Sequence, residues 1–270
     1  MAPTPEEDFL SDIKSPLLKD LNSGYPFILS DERAALIYET SPSAGIKDWK
    51  NRVIFFKEIA SRVTPGGERN AVIRFTDREG NTLDYPTGKQ YDDAISNLTS
   101  LDIPMAIDIE MVRKVRQLLL DKELWTRSSL WYDGDGEKIK GKRFIPVVVK
   151  DVTAGDMLFP YHLLIEDADG GKAIIYMNAS NRGLESRTFS SLFFLKDPKL
   201  HYPSIRPEIW TLITEGAVTE GMTKEECKLS LGNPDDVAQG HDWNRVIDVW
   251  TYKNGAFLEF TDGLLTKFRI

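Results

Sequence analysis

Cys227 and His241 are the two residues with which this 270-residue sequence could build a nucleophile and its base. A reactive thiol needs a lowered pKa and access to solvent. The surrounding stretch, EGMTKEECKLSLGNPDDV, argues for neither. Thr223 is a good N-cap, and Glu226 three residues later completes a capping box. Met222 then falls at N′ and Cys227 at N4, where a hydrophobic staple pairs two apolar side chains. Leu231 lies one turn further on the same face, Gly232 supplies a left-handed helix end, and Pro234 blocks continuation. Glu225 and Glu226 also discourage a thiolate. The reading is that Cys227 packs, and a Cys227/His241 hydrolase stands as the remote alternative.

Other candidates for chemistry are weaker. His162, His201 and His241 share no metal-ligand spacing, and His162 alternates within a strand as a satisfied barrel residue. YDGDGEK (Tyr132–Lys138) begins like a calcium loop, but Phe144 stands where the closing glutamate belongs. It reads as a solvated turn, as does EDADGG (Glu166–Gly171). TPGGERN (Thr64–Asn70) lacks the Lys-Ser/Thr of a phosphate loop, and no G-x-S-x-G is present. No catalytic residue, cofactor site or metal ligand is assigned. Aromatic residues beside polar turns are the remaining candidates: Trp131 and Tyr132 next to YDGDG, and His241 with Trp243 in QGHDWNR. As exposed rings they would anchor a partner or stack on sugar rings; the favoured alternative is that they fold back over a domain junction.

Hydrophobic residues make up 41% and charged residues 28%, ordinary for a globular chain. A net charge of −8 argues against general nucleic-acid binding, which needs a concentrated basic surface. One cysteine excludes an internal disulfide. The runs FIPVVV (Phe144–Val149) and MLFPYHLLI (Met157–Ile165) are too short to span a membrane. MAPTPEEDFL has neither the basic nor the apolar region of a signal peptide, so this start suits a cytosolic protein, or a mature or trimmed form of an exported one.

Two segments resemble one another. LIYETS, KNRVIFFKEI and NAVIRFTDREG, within Leu36–Gly80, run parallel to LWTRSS, GKRFIPVVVKDV and YHLLIEDADG, within Leu124–Gly170. Each is β-rich and ends in Asp-x-x-Gly. In AVIRFTD, Val72 and Arg74 face one way and Ile73 and Phe75 the other. Such spacing suits a small barrel, and both units resemble bacterial SH3-like barrels. Between them Glu110–Asp121 carries Met111, Val112, Val115, Leu118 and Leu119 at helical spacing. Lys89–Leu101 is a second helical candidate. After Pro198, Pro203 and Pro207 the order becomes helix, helix and three strands, with turns at Asn254-Gly255 and Asp262-Gly263.

That last segment resembles the BamE-like (SmpA/OmlA) domain. Gly216, Val218, Gly221, Met222, Thr223, Glu226, Leu231, Gly232, Pro234, Trp250 and Tyr252 carry the likeness, over the last quarter of the chain. The resemblance implies two helices on a three-stranded antiparallel sheet. It also implies kinship with outer-membrane lipoproteins that assist β-barrel assembly, and with secreted inhibitors of β-lactamase. The whole arrangement looks like multidomain exported proteins of gut Bacteroidetes. The expected protein is therefore α+β: a tail (1–25), SH3-like units over 26–109 and 110–200, and a BamE-like ααβββ domain over 201–270. The expected function is non-enzymatic binding or assembly in the cell envelope through protein–protein contact, periplasmic or outer-membrane associated. A secreted enzyme inhibitor is the alternative, and a cytoplasmic protein remains open.

Overall fold

The computed structural model describes residues 2–96, 103–178, 187–242 and 244–270. They form a mostly-β protein with three antiparallel sheets of six, seven and four strands. The chain divides into two compact units. The first comprises Met1–Lys122, Val148–Glu166 and Lys172–Ser191; the second comprises Glu123–Val147, Asp167–Gly171 and Leu192–Ile270.

The first unit opens with α1 (Pro5–Asp8), closed by a Thr4/Glu7 capping box. Six strands follow: β1 (Pro26–Leu29), β2 (Glu39–Thr40), β3 (Val53–Val63), β4 (Arg69–Asp77), β5 (Thr82–Gln90) and, after α2 (Tyr91–Ser96), β6 (Ala106–Asp108). Their order across the sheet is β2-β5-β4-β3-β1-β6. The expected SH3-like barrel is not there. The outer strands β2 and β6 do not pair, so the sheet stays open. Eleven residues in β3 and nine in each of β4 and β5 make a long meander rather than short strands that wrap around a barrel. The alternation read in AVIRFTD holds: Ile73 and Phe75 enter the core, where Phe27 and Phe56 meet the Phe75 ring edge-on. Arg74 faces outward and pairs with Glu58 and Asp84.

The helix expected over Glu110–Asp121 is α3 (Ile109–Leu119), capped by Asp108. Met111, Val112, Val115 and Leu119 are buried, but Leu118 lies off the stripe and is exposed. Of the Lys89–Leu101 helix only α2 forms among the described residues, and 97–102 lie outside them.

Next come β7 (Glu123–Thr126), β8 (Leu130–Tyr132), β9 (Lys138–Lys140), β10 (Pro146–Ala154), β11 (Tyr161–Asp167), β12 (Lys172–Met177), α4 (Phe189–Leu192) and β13 (Phe193–Phe194). These strands make the seven-stranded sheet, which is also open, with β13 and β9 as its unjoined outer strands. The second expected barrel is therefore overturned as well. His162, in β11, stacks on Tyr176 at 4.1 Å, and its buried Nε2 has no hydrogen-bond partner among the described residues. Burial pulls its pKa down. The expectation of a satisfied histidine fails there.

The chain closes with α5 (Pro207–Glu215), α6 (Lys224–Leu231) and the strands β14 (Asp236–Asp242), β15 (Arg245–Thr251), β16 (Phe257–Thr261) and β17 (Leu264–Arg269). This sheet has four strands in sequence order, not three. The expected α+β ααβββ arrangement is corrected on that point too, because the polar stretch after Pro234 is a strand. Trp250, Leu258, Phe260 and Leu265 bury against Ile209, Trp210, Ile213, Met222 and Cys227.

Asp-x-x-Gly proves to be one recurring hairpin turn. Asp77, Asp133 and Asp167 each accept two backbone N–H groups of their own turn through Oδ1, at 2.7–3.0 Å. Gly80, Gly136 and Gly170 take φ of 81–84°, the left-handed position of a three-residue hairpin. Asp77 is buried and also accepts from Asn81 Nδ2 and the Arg52 guanidinium, both at 2.8 Å. Burial pushes its pKa up, but these hydrogen bonds outweigh burial and leave it below the usual carboxylate range. A depressed pKa adds stability above the unfolded value near ~4, lost as pH falls through the folded value. Replacing Asp77 with Ala is expected to cost about 2–3 kcal/mol at neutral pH. The gap to wild type should narrow below about pH 4 in urea titrations.

Candidate functional site

The opening stretch folds as its residues dictate. Thr223 and Glu226 form the capping box, and Met222 and Cys227 are both fully buried. Leu231 packs against the same core. Gly232 ends the helix with a positive φ of 90° but an extended ψ of −171°, a conformation open to glycine rather than the left-handed one expected. Burial and the neighbouring Glu226 push the Cys227 thiol up to about 12. His241 lies on exposed β14, and no hydrogen bond joins it to Cys227. A buried neutral thiol suits packing, not attack.

Within β15, Asp248 is buried; it accepts from Gln239 Nε2 at 3.1 Å and pairs with Lys224. This ties β14, β15 and the first turn of α6 into one frame.

Of the aromatic and histidine candidates among the described residues, His241 alone is exposed. Trp131 is 5% exposed, with its indole N–H donating to the Ser128 carbonyl at 3.2 Å. Its ring is seated on Gly141, where an added Cβ would meet it at 2.5 Å and the Ser129 carbonyl at 2.6 Å. The expectation of an exposed Trp131 anchor is therefore corrected: a residue beside a tight turn is buried because a glycine further along leaves it room. Tyr132 is half-buried at the end of β8. Trp243 lies outside the described residues. Asp133 is committed to its own hairpin, which accounts for YDGDGEK, and Thr64 closes the TPGGERN turn in the same way by accepting from Glu68 N–H.

The feature that sequence reasoning missed is β14. All seven of its residues pair with β15 in unbroken register, from Asp236 opposite Thr251 to Asp242 opposite Arg245. Its other edge is an end of the sheet. Edge strands are ordinarily blunted by Pro, Lys, a bulge or short length. DVAQGHD has none of these; its charged residues, Asp236 and Asp242, stand at the two ends, and Val237 is 54% exposed. A regular edge of this kind offers main-chain donors and acceptors to a further strand. The signal available in sequence was Pro234 ending the helix ahead of a stretch with no second helix start.

No family model matches the chain, and no curated protein or solved structure matches it. Among the described residues no helix is long and apolar enough to cross a membrane.

Two measurements check this geometry. A maleimide reagent should leave Cys227 unlabelled in the native protein and label it only at the unfolding midpoint, whereas fast native labelling would reinstate thiol chemistry. Gly141→Ala should destabilise by about 1–3 kcal/mol through overpacking against Trp131, read from denaturant unfolding.

Proposed function

We propose that this is a non-enzymatic binding protein that recruits a protein partner by adding a strand to β14. The observation that carries the reading is the seven-residue, bulge-free edge with its exposed Val237. Main-chain hydrogen bonds supply affinity in this mode, and alternate side chains supply choice. The edge is held rigid from behind by Asp248, Gln239 and Lys224. The resemblance of the C-terminal motif residues to the BamE-like domain supports a partner in the cell envelope, with the protein exported to reach it.

Photo-crosslinking from Val237 in the native host tests this. One dominant adduct is expected, lost when Ala238→Lys puts a charge in the middle of the edge. Adducts unaffected by Ala238→Lys, or none above those from the half-buried Phe257, would overturn strand addition. An adduct of twice the chain mass would replace the separate partner with self-association. Fractionation of the same cells should find the protein with the envelope; a cytosolic product would remove the envelope assignment while leaving the edge intact.

A further inference from the structure

The sequence KIKGKR (Lys138–Arg143) sets four cations in six residues, in a chain whose net charge is −8. In the second unit this run follows the Asp133 hairpin and lies along α5. Two adjoining cavities form there, of about 200 and 430 Å³. Lys138, Lys140 and Arg143 line the first, Lys142 and Lys199 the second, and Thr214 and Glu215 border both.

The run is firmly held. Gly141 lies against the Trp131 ring. Arg143 donates its backbone N–H to the Thr214 carbonyl at 3.2 Å and its guanidinium to the Ser230 carbonyl, closing the ends of α5 and α6. Phe144 takes a left-handed φ of 57°, which a bulky residue adopts only when packing imposes it. Its ring meets Phe194 at 5.9 Å and Trp210 at 5.8 Å. Strain is accepted here to hold the basic run against α5.

With Arg143 committed to helix carbonyls, the charges left for a ligand are lysines. Lys138, Lys140 and Lys142 make no ion pair among the described residues, and Lys199 Nζ stands 5.6 Å from the Trp210 ring centre. Ammonium groups act as point charges that attract carboxylates and phosphates alike, so the choice between these ligands falls to the lining beside them. The hydroxyls of Thr211 and Thr214 donate to carbonyls within α5 and are not free to bind an anion. Ile139, Ile145, Pro207 and Trp210 add apolar lining. We infer that this groove binds an acidic, partly apolar peptide segment, with carboxylates on Lys138, Lys140, Lys142 and Lys199 and apolar side chains on Ile145 and Pro207. Glu215, the groove's one carboxylate, opposes it.

This site is independent of β14, so either reading can fail alone. The test is fluorescence anisotropy of a labelled peptide of about ten residues repeating Glu-Glu-Leu, against the intact protein. Saturable binding is expected, weakening as salt rises. Combined Lys138→Gln, Lys140→Gln and Lys142→Gln should weaken it by about tenfold, the sum of three modest exposed ion pairs. Glu215→Gln should tighten it. Unchanged thermal unfolding of each variant shows that the fold persists, and Ala238→Lys should leave this binding intact. Equal binding of the Gln-Gln-Leu peptide, indifference to the lysine changes, or no saturation at millimolar peptide would overturn the inference. Preferential binding of polyphosphate would overturn the peptide assignment in favour of a phosphate polymer.

Discussion

A turn residue that takes up the backbone N–H groups of its own hairpin is the constraint on which these sheets depend. An antiparallel meander reverses direction between strands, and the turn fixes the register of everything after it. Thr64, Asp77, Asp133 and Asp167 do this with a side-chain oxygen, each followed three residues later by a left-handed glycine. Tyr252 to Ala256 keeps the same backbone path, with Gly255 at φ 86°. One slipped residue in such a turn would exchange the core and solvent faces of the strand after it. At Asp77 that would take Leu83 of β5 out of the core and turn Asp84 away from its partners Arg62 and Arg74.

This local chemistry is why much of the molecule could be read from its residues. The Thr223/Glu226 capping box, the Met222–Cys227 staple, the Asp262-Gly263 turn and the apolar stripe of α3 are decided by neighbours three or four positions apart. Closure of a sheet is not decided that way. Whether β2 meets β6 depends on strand length and twist accumulated over the whole meander, and alternation looks the same in an open sheet and a barrel. The barrels were inferred from a pattern that does not carry that information.

The errors at the site have related causes. β14 escaped notice because an edge strand that buries neither face needs no hydrophobic alternation, and DVAQGHD shows none. Trp131 looked exposed because it adjoins a polar turn; its burial depends on Gly141, which local pattern cannot connect to it. The basic run was visible as composition. Its use was not, because only the folded chain shows Arg143 drawn off to helix carbonyls and the lysines left beside α5.

The two surfaces of the second unit answer different physical demands. A strand added to β14 would be held by main-chain hydrogen bonds, which depend little on ionic strength. The lysine groove lies on a protein of net charge −8, so an acidic segment meets repulsion from afar and attraction only at short range. At physiological salt, screening over about 8 Å removes much of the distant repulsion while the contacts survive. Discrimination in the groove is therefore made at contact and not during approach. Contact is favoured when the backbone that carries the lysines is already in place, and here the Arg143 hydrogen bonds to α5 and α6 and the buried Phe144 ring hold it beside α5.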